Sequence, residues 1–372
     1  MTDTARVGLV IAAFFAAGAV NTAWLPLWFA DHGLSPAEIG LILGATSLLR
    51  VVGVPGGGWL ADRMGRRSIV TLGAAAIAAA AAATLPALHG LTPLLVAAAM
   101  LGVAGSLLAP LTDAIMLGLA ACGRLEYGRT RAWGSISYMA ATAGAGALLA
   151  HTGTRIVPAL LALGYGAAAI GAAFLPDTPF HRRSIGNAGP FRNRAFRLVL
   201  VATALIQGSH AAYYGFAAVY WRSIGIGDAL IGLLIAEGIV VEVALFLWGR
   251  TLVERIGPAR LTALAATAAA LRWTVTALTA QIAVLALVQV LHSATFACQH
   301  LSTMQVLRRM PPEQSGMAQT LLAALGFSLP TGLLIWLVGQ LYAPLGGYVF
   351  LPMAAIGGAA LLTVGPLARA TR

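Results

Sequence analysis

Seven ionisable residues stand deep inside long apolar runs: Arg50, Asp113, His210, Glu237, Glu242, Arg272 and His292. His300 stands near the end of such a run. An ionisable group in a low-dielectric setting is costly, and is kept there by a partner or by a task. Glu242, Arg272 and His292 occupy three consecutive runs and form a set suited to moving a proton. Burial makes a carboxyl hold its proton, a neighbouring guanidinium makes it let go, and an imidazole titrates near neutrality unaided. An arginine that moved toward and away from such a carboxylate would alternately empty and load it. Glu237 competes for the role. It stands five residues from Glu242, about 140° around a helix, so only one of them faces a given point. Residue counting puts Glu242 roughly 21 Å from the outer edge, Glu237 roughly 14 Å and Arg272 roughly 10 Å. That spread leaves the choice between the carboxylates open.

Two further sets surround this one. Arg50 and Asp113 carry opposite charge at similar depth, about 10–15 Å from the inner edge, which predicts an ion pair. The pair reads equally as a static clasp or as a switch. The other set is aromatic. Gln207, His210, Tyr213 and Tyr214 share one run with Tyr220 and Trp221; Phe296 follows His292 by four; Asn21 and Trp24 lie in the first run. Aromatic walls with His210, Arg272 and His292 suit a small aromatic or amphipathic acid, while Asn21 and Gln207 suit a neutral polar solute. Tyr220 and Trp221 are expected in an interfacial belt, and Tyr213 and Tyr214 serve either packing or binding.

The elements that hold these residues follow from composition. Hydrophobic residues make up 59% of the 372 positions and charged ones 9%, against about 25% charged in soluble domains. The solvent must be lipid, and runs of about 20 apolar residues are then helical spans. Twelve are expected, near 7–30, 36–60, 68–87, 91–120, 130–150, 156–176, 195–221, 228–250, 258–279, 281–305, 315–341 and 345–367. A β-barrel would need segments of about ten alternating residues, and Ala74–Ala83 does not alternate. Every one of the 23 basic residues is arginine. With the N-terminus inside, 19 fall on inner loops and termini and only Arg155 and Arg222 on outer loops. This asymmetry predicts cytoplasmic N- and C-termini in a plasma (inner) membrane. It also accounts for the net charge of +11 through anionic lipid, with no call for nucleic acid.

The chain repeats at an offset of 192. "GLSPAEIGL" (33–41) overlies "GIGDALIGL" (225–233), and "LADRMG" (60–65) overlies "LVERIG" (252–257), setting Asp62 and Arg63 over Glu254 and Arg255. The expected build is two six-helix bundles, 1–176 and 195–372, joined by a polar linker at 177–194, the plan of a rocker-type secondary carrier. In "GGWLADRMGRR" (57–67), Gly65 permits a tight turn and the arginines hold the loop at the phosphate surface. Asp62 could bind a facing helix end or an arginine of the other half and so gate, or the loop with Arg63, Arg66 and Arg67 only sets topology.

The motif Gly58-x-Leu60-x-Asp62-Arg63-x-Gly65-Arg66-Arg67 resembles the signature loop of the major facilitator superfamily. "PLTDAI" (110–115), "YGRTRAWGS" (127–135), "QGSHAAYYGF" (207–216), "GIVVEVALF" (238–246), "LRW" (271–273) and "LHSATF" (291–296) look like its phenylpropionate permease branch. The resemblance implies proton-driven uptake of a small molecule, with 3-phenylpropionate or cinnamate as prototype, and favours Glu242, which lies within a block, over Glu237. The Glu242–Arg272–His292 set also resembles the coupling groups of the lactose–proton symporter. No H-E-x-x-H, G-x-S-x-G or P-loop occurs, so neither an enzyme nor direct use of ATP is expected. Cys122 and Cys298 suggest neither a disulfide nor a metal site. The expectation is a monomeric carrier without cofactor, driven by a proton gradient and binding a small solute, protons and lipid. The rival readings are a symporter for a sugar or nucleoside, a drug exporter, and a sensor on a carrier scaffold.

Overall fold

The computed structural model describes residues 2–177, 189–248 and 255–371, with side chains at all of these except 246–248, 312, 313 and 315. Glu254 and the linker residues 178–188, Arg182 and Arg183 included, lie outside the described residues.

Among the described residues every regular element is helical. Among the described residues nine stretches are long and apolar enough to cross a membrane, from Asp3–Ala23 to Gly316–Ala370. The last holds the two spans expected at 315–341 and 345–367. The spans expected at 130–150 and 228–250 are helices as well, Tyr127–Thr152 and Asp228–Trp248. The chain divides into two compact units. Unit one is Met1–Arg182 with Gly225–Ala236; unit two is Arg183–Ile224 with Glu237–Arg372.

Unit one contains α1 (Asp3–Ala23), α2 (Leu25–Asp31), α3 (Pro36–Met64), α4 (Arg67–Thr84), α5 (Leu91–Ala121), α6 (Tyr127–Thr152) and α7 (Val157–Ala172). Local chemistry sets the ends. Ser35 and Glu38 form a reciprocal capping box at the start of α3, with Pro36 in its first turn, which satisfies orphan amides there. Gly65 ends α3 at φ 64, a left-handed conformation nearly closed to other residues. Helix α4 has no cap of its own. Asp177, beyond α7, supplies it by accepting from Ser68 N at 2.9 Å and Ser68 Oγ at 2.8 Å. Helix α1 packs on α6 and α7, α4 on α5 and α7, and α3 on α5. The contact faces are rich in small residues, such as Ala74, Ala75, Ala78, Ala81 and Ala82 of α4. In lipid, association depends on close backbone approach, which small side chains allow.

Helix α10 (Asp228–Trp248) starts in unit one and continues in unit two from Glu237. Its first turns cross α6 at Gly146 and Gly232, where Trp24 also packs. Trp24 stands between α1 and α2 with 0% exposure. It therefore fills the core of unit one rather than offering a surface to a solute.

Unit two contains α8 (Arg194–Gly208), α9 (Ala211–Ser223), the rest of α10, α11 (Pro258–Leu278), α12 (Ile282–Gln289), α13 (Gln299–Leu307), α14 (Pro312–Leu321), α15 (Leu329–Leu345), α16 (Phe350–Ala359) and α17 (Leu361–Ala370). Helix α11 packs on α16, α17 and α13, α8 on α13, α16 and α17, and α9 on α15. Its spans are repeatedly interrupted. Ser209 and His210 break α8 from α9. Residues Ala294–Cys298 and Leu322–Ser328 are π-helical, a geometry common at functional positions. Trp221 is fully buried, so it belongs to the core and not to an interfacial belt. Its ring meets Tyr213 at 6.1 Å. The repeat is visible locally: Gly33 and Gly225 have φ 81 and 89, and Gly65 and Gly257 have φ 64 and 77.

Candidate functional site

The polar centre of unit two is built around Arg272 of α11, which is 0% exposed. Its guanidinium lies over the Tyr213 ring at 4.5 Å and the Trp273 ring at 4.4 Å. Nη2 donates to Gln289 Oε1 at 2.6 Å, and Nη1 meets His292 Nδ1 at 2.9 Å. His292 Nε2 stands 3.4 Å from Glu242 Oε2 on α10. The depth gap between Glu242 and Arg272 is thus spanned by the imidazole. Arginine can only donate, so Nδ1 of His292 is an acceptor and its ring hydrogen sits on Nε2, toward the carboxylate. One cation, one neutral imidazole and one carboxylate follow in series, which is how charge is tolerated in a dry interior.

Gln289 was not anticipated. It stands three residues before His292 on the same face, so its position was legible. Glu237, half-buried on α10, takes no part in this chain of contacts.

The other predicted residues frame this centre. His210 is fully buried, with Nδ1 donating to Ile206 O at 2.9 Å and Nε2 against Thr295 Oγ1 at 3.1 Å. Its ring meets His292 edge-on at 5.8 Å and stacks on Tyr214 at 5.6 Å. Phe296 stacks on His292 at 5.9 Å. Gln207 is buried, and its Nε2, like Gln289 Nε2 and Arg272 Nε, finds no protein acceptor. Beyond Phe296 a polar column runs along α13: Gln299 Nε2 donates to Thr203 Oγ1 at 2.9 Å, Thr203 meets Thr303 at 3.2 Å, and Thr262 meets Ser302 at 2.9 Å.

Unit one corrects the expected Arg50–Asp113 pair. Arg50 Nε donates to Gly102 O at 3.2 Å. Asp113 instead pairs with Arg131 at 3.6 Å and accepts from Tyr127. The reason is depth. Helix α3 runs on to Met64, four residues past its expected end, which sets Arg50 about 6 Å deeper than counted. It is level with Gly102, eleven residues or about 16 Å along α5 from Asp113. Tyr127 and Arg131 are one turn apart on α6 and reach the same carboxylate, while Arg131 also lies over the Phe15 ring at 4.3 Å. The Asp113 and Arg131 side chains are 36% and 33% exposed, unlike the sealed Arg272. Asn21 is half-buried on α1.

The signature loop closes on itself. Asp62 pairs with Arg67 at 3.1 Å, Arg66 reaches Asp177 at 3.8 Å, and Arg63 lies over Trp59 at 5.4 Å. Asp62 therefore has its ion-pair partner within its own loop. Arg255, in the second copy, is exposed.

The sequence profile of the MFS_1 like family matches residues 8–351. Over 358 residues the chain is 30% identical to the "Probable 3-phenylpropionic acid transporter" of Escherichia coli (strain K12), covering 92% of each. It is 28% identical to the "Maltose permease" of Geobacillus stearothermophilus, over 87% of this chain and 82% of that one. Among solved structures, nucleoside transporter NupG (D323A mutant) superposes over 100% of both chains with a TM-score of 0.83 at 13% identity. A D-xylose–proton symporter superposes over 97% and 96% with a TM-score of 0.72 at 14% identity. An apolar helical chain with these relatives is a membrane transporter and not an enzyme, and it belongs to the MFS_1 like family, within the major facilitator type.

Proposed function

We propose that this protein is a monomeric secondary carrier of twelve spans in two six-helix halves, taking up a small aromatic or amphipathic carboxylic acid with protons by alternating access across a bacterial plasma membrane. The observation that carries the reading is the Arg272–His292–Glu242 series, closed at its far end by Gln289. Glu242 is the group that gains and loses the proton, with Glu237 as the alternative, and the proton gradient replaces any cofactor. Arg272 and His292 set its affinity. While Arg272 holds Nδ1 of His292, the carboxylate keeps its imidazole donor. When Arg272 moves, that donor is freed to turn and the carboxylate loads.

For the solute, unit two supplies Gln207, His210, Tyr213, Tyr214 and Phe296; within unit one, the half-exposed Asp113–Arg131 pair and Asn21 are the polar candidates. The unpartnered Gln207 Nε2 and Arg272 Nε are donors suited to a carboxylate. The relative named for phenylpropionic acid supports an aromatic acid. The relative named for maltose supports a second reading, a neutral polar solute at the same amides.

Glu242→Gln tests coupling in proteoliposomes with labelled 3-phenylpropionate. The variant should exchange internal for external label at a rate near that of the parent, since exchange needs no deprotonation. Uphill accumulation under a pH gradient should vanish. Undiminished accumulation would return Glu242 to a structural role and move attention to Glu237.

A further inference from the structure

His292 is poorly placed to be the imidazole that takes a proton from Glu242. A histidine that already carries hydrogen on Nε2 can accept another only at Nδ1, and Arg272 Nη1 occupies that nitrogen at 2.9 Å with a donor that never ionises away. His292 positions the carboxylate. The proton must leave Glu242 by another route.

The helix that carries His292 provides one. His300 stands eight residues later. In a regular helix eight residues turn through 800°, which would leave His300 about 80° off the face of His292. Between them lies the π-helical segment Ala294–Cys298. A π-bulge accommodates one extra residue in a turn and so shifts everything after it back by about 100°. His292 and His300 are thereby returned to within about 20° of one face, two turns apart. Glu242 contacts His292 at 3.4 Å and lies within electrostatic reach of His300, on the helix face that the two histidines share. The other helices packed on α13 face it with hydroxyls, Thr203 of α8 and Thr262 of α11. His300 is half-buried and seven residues, about 10 Å, from the end of α13 at Leu307, where Arg308 and Arg309 follow.

We propose that His300 is the proton acceptor of Glu242 on the Arg308–Arg309 side, aligned with it by the π-bulge at Ala294–Cys298. In the step, the O–H bond of protonated Glu242 breaks as an N–H bond forms on neutral His300. Glu242 is left as carboxylate, and the His300 imidazolium gives its proton to water at the inner face. This rests on the proton-coupled reading above.

The test uses the full chain in proteoliposomes with 3-phenylpropionate as probe. His300→Gln should slow gradient-driven accumulation by about tenfold or more, the scale of losing a positioned acid–base group, while counterflow exchange stays within about threefold of the parent. Imidazole added on the inner side should restore part of the accumulation rate, which no packing role would show. Equal accumulation by variant and parent overturns the proposal, as does parallel loss of accumulation and exchange without imidazole rescue. A second measurement needs no solute. In purified protein with isotope-labelled histidine, Glu242→Gln should move the titration of His300 by about half a pH unit or more. An unmoved titration overturns the proposal. If the parent itself neither accumulates nor exchanges any tested solute, the coupled-carrier reading fails, and the titration still decides the pairing of His300 with Glu242.

Discussion

Substituting Gly146 by alanine adds a single carbon where α6 crosses the start of α10. A Cβ built at Gly146 would lie 2.7 Å from Asp228 O, 2.9 Å from Trp24 Cζ2 and 3.1 Å from Gly232 Cα. Ordinary contacts are about 3.5–4.0 Å, so relief requires the two backbones to part by roughly 0.5–1 Å. Two of the three obstructing atoms are main chain and cannot rotate aside. Overpacking of this kind costs about 1–3 kcal/mol, which is about a 5- to 150-fold shift from the packed to the separated crossing. Thr142, whose carbonyl lies against Gly232, is 0% exposed and serves as the reporter. A cysteine there, in a background lacking Cys122 and Cys298, should be alkylated about 5- to 150-fold faster once Gly146→Ala is added. Gly232→Ala should act in the same direction. Gly144→Ala is the control: no atom lies within 4 Å of its Cβ position, and alanine there should be neutral or stabilise the helix by up to about 1 kcal/mol. If Gly146→Ala matches the Gly144→Ala control in both alkylation rate and melting temperature, the crossing does not depend on close backbone approach.

The Asp113–Arg131 pair should behave as a unit and Arg50 should not belong to it: swapping Asp113 with Arg131 should recover transport lost in either neutral variant, whereas swapping Asp113 with Arg50 should not. Because both side chains are about a third exposed, the pair should contribute at most about 1 kcal/mol to stability, so a large loss of transport with little change in melting would mark it as functional. Asp177→Ala should destabilise unit one by about 0.5–2 kcal/mol, the usual worth of an N-cap, read as earlier loss of helical circular dichroism on heating; an unchanged melt would show that Ser68 N is satisfied without it.

The membrane habit, the helical spans, the signature loop and the set of ionisable residues inside apolar runs were all legible in one dimension. Apolar runs of about 20 residues and a lopsided arginine distribution are properties of the chain itself. The cost of charge in lipid singles out Arg50, Asp113, Glu242, Arg272 and His292 wherever they happen to point. That cost says that each needs a partner but not which one. Partner choice depends on helix rotation and on a few residues of helix length, and both are decided by packing. Four extra residues at the end of α3 removed Arg50 from Asp113 and left the carboxylate to Arg131, which the sequence had marked only as a topology charge. Asp62 met Arg67 because Gly65 turns the chain back on itself within the loop. The His292 bridge between Arg272 and Glu242 resolved a depth mismatch that residue counting along separate spans cannot resolve, because counting has no lateral coordinate. The π-bulge before His300 left no mark in composition or periodicity. Which face of the helix His300 then shares with His292 is set by that local break in the winding, a feature of the folded helix and not of the residue pattern.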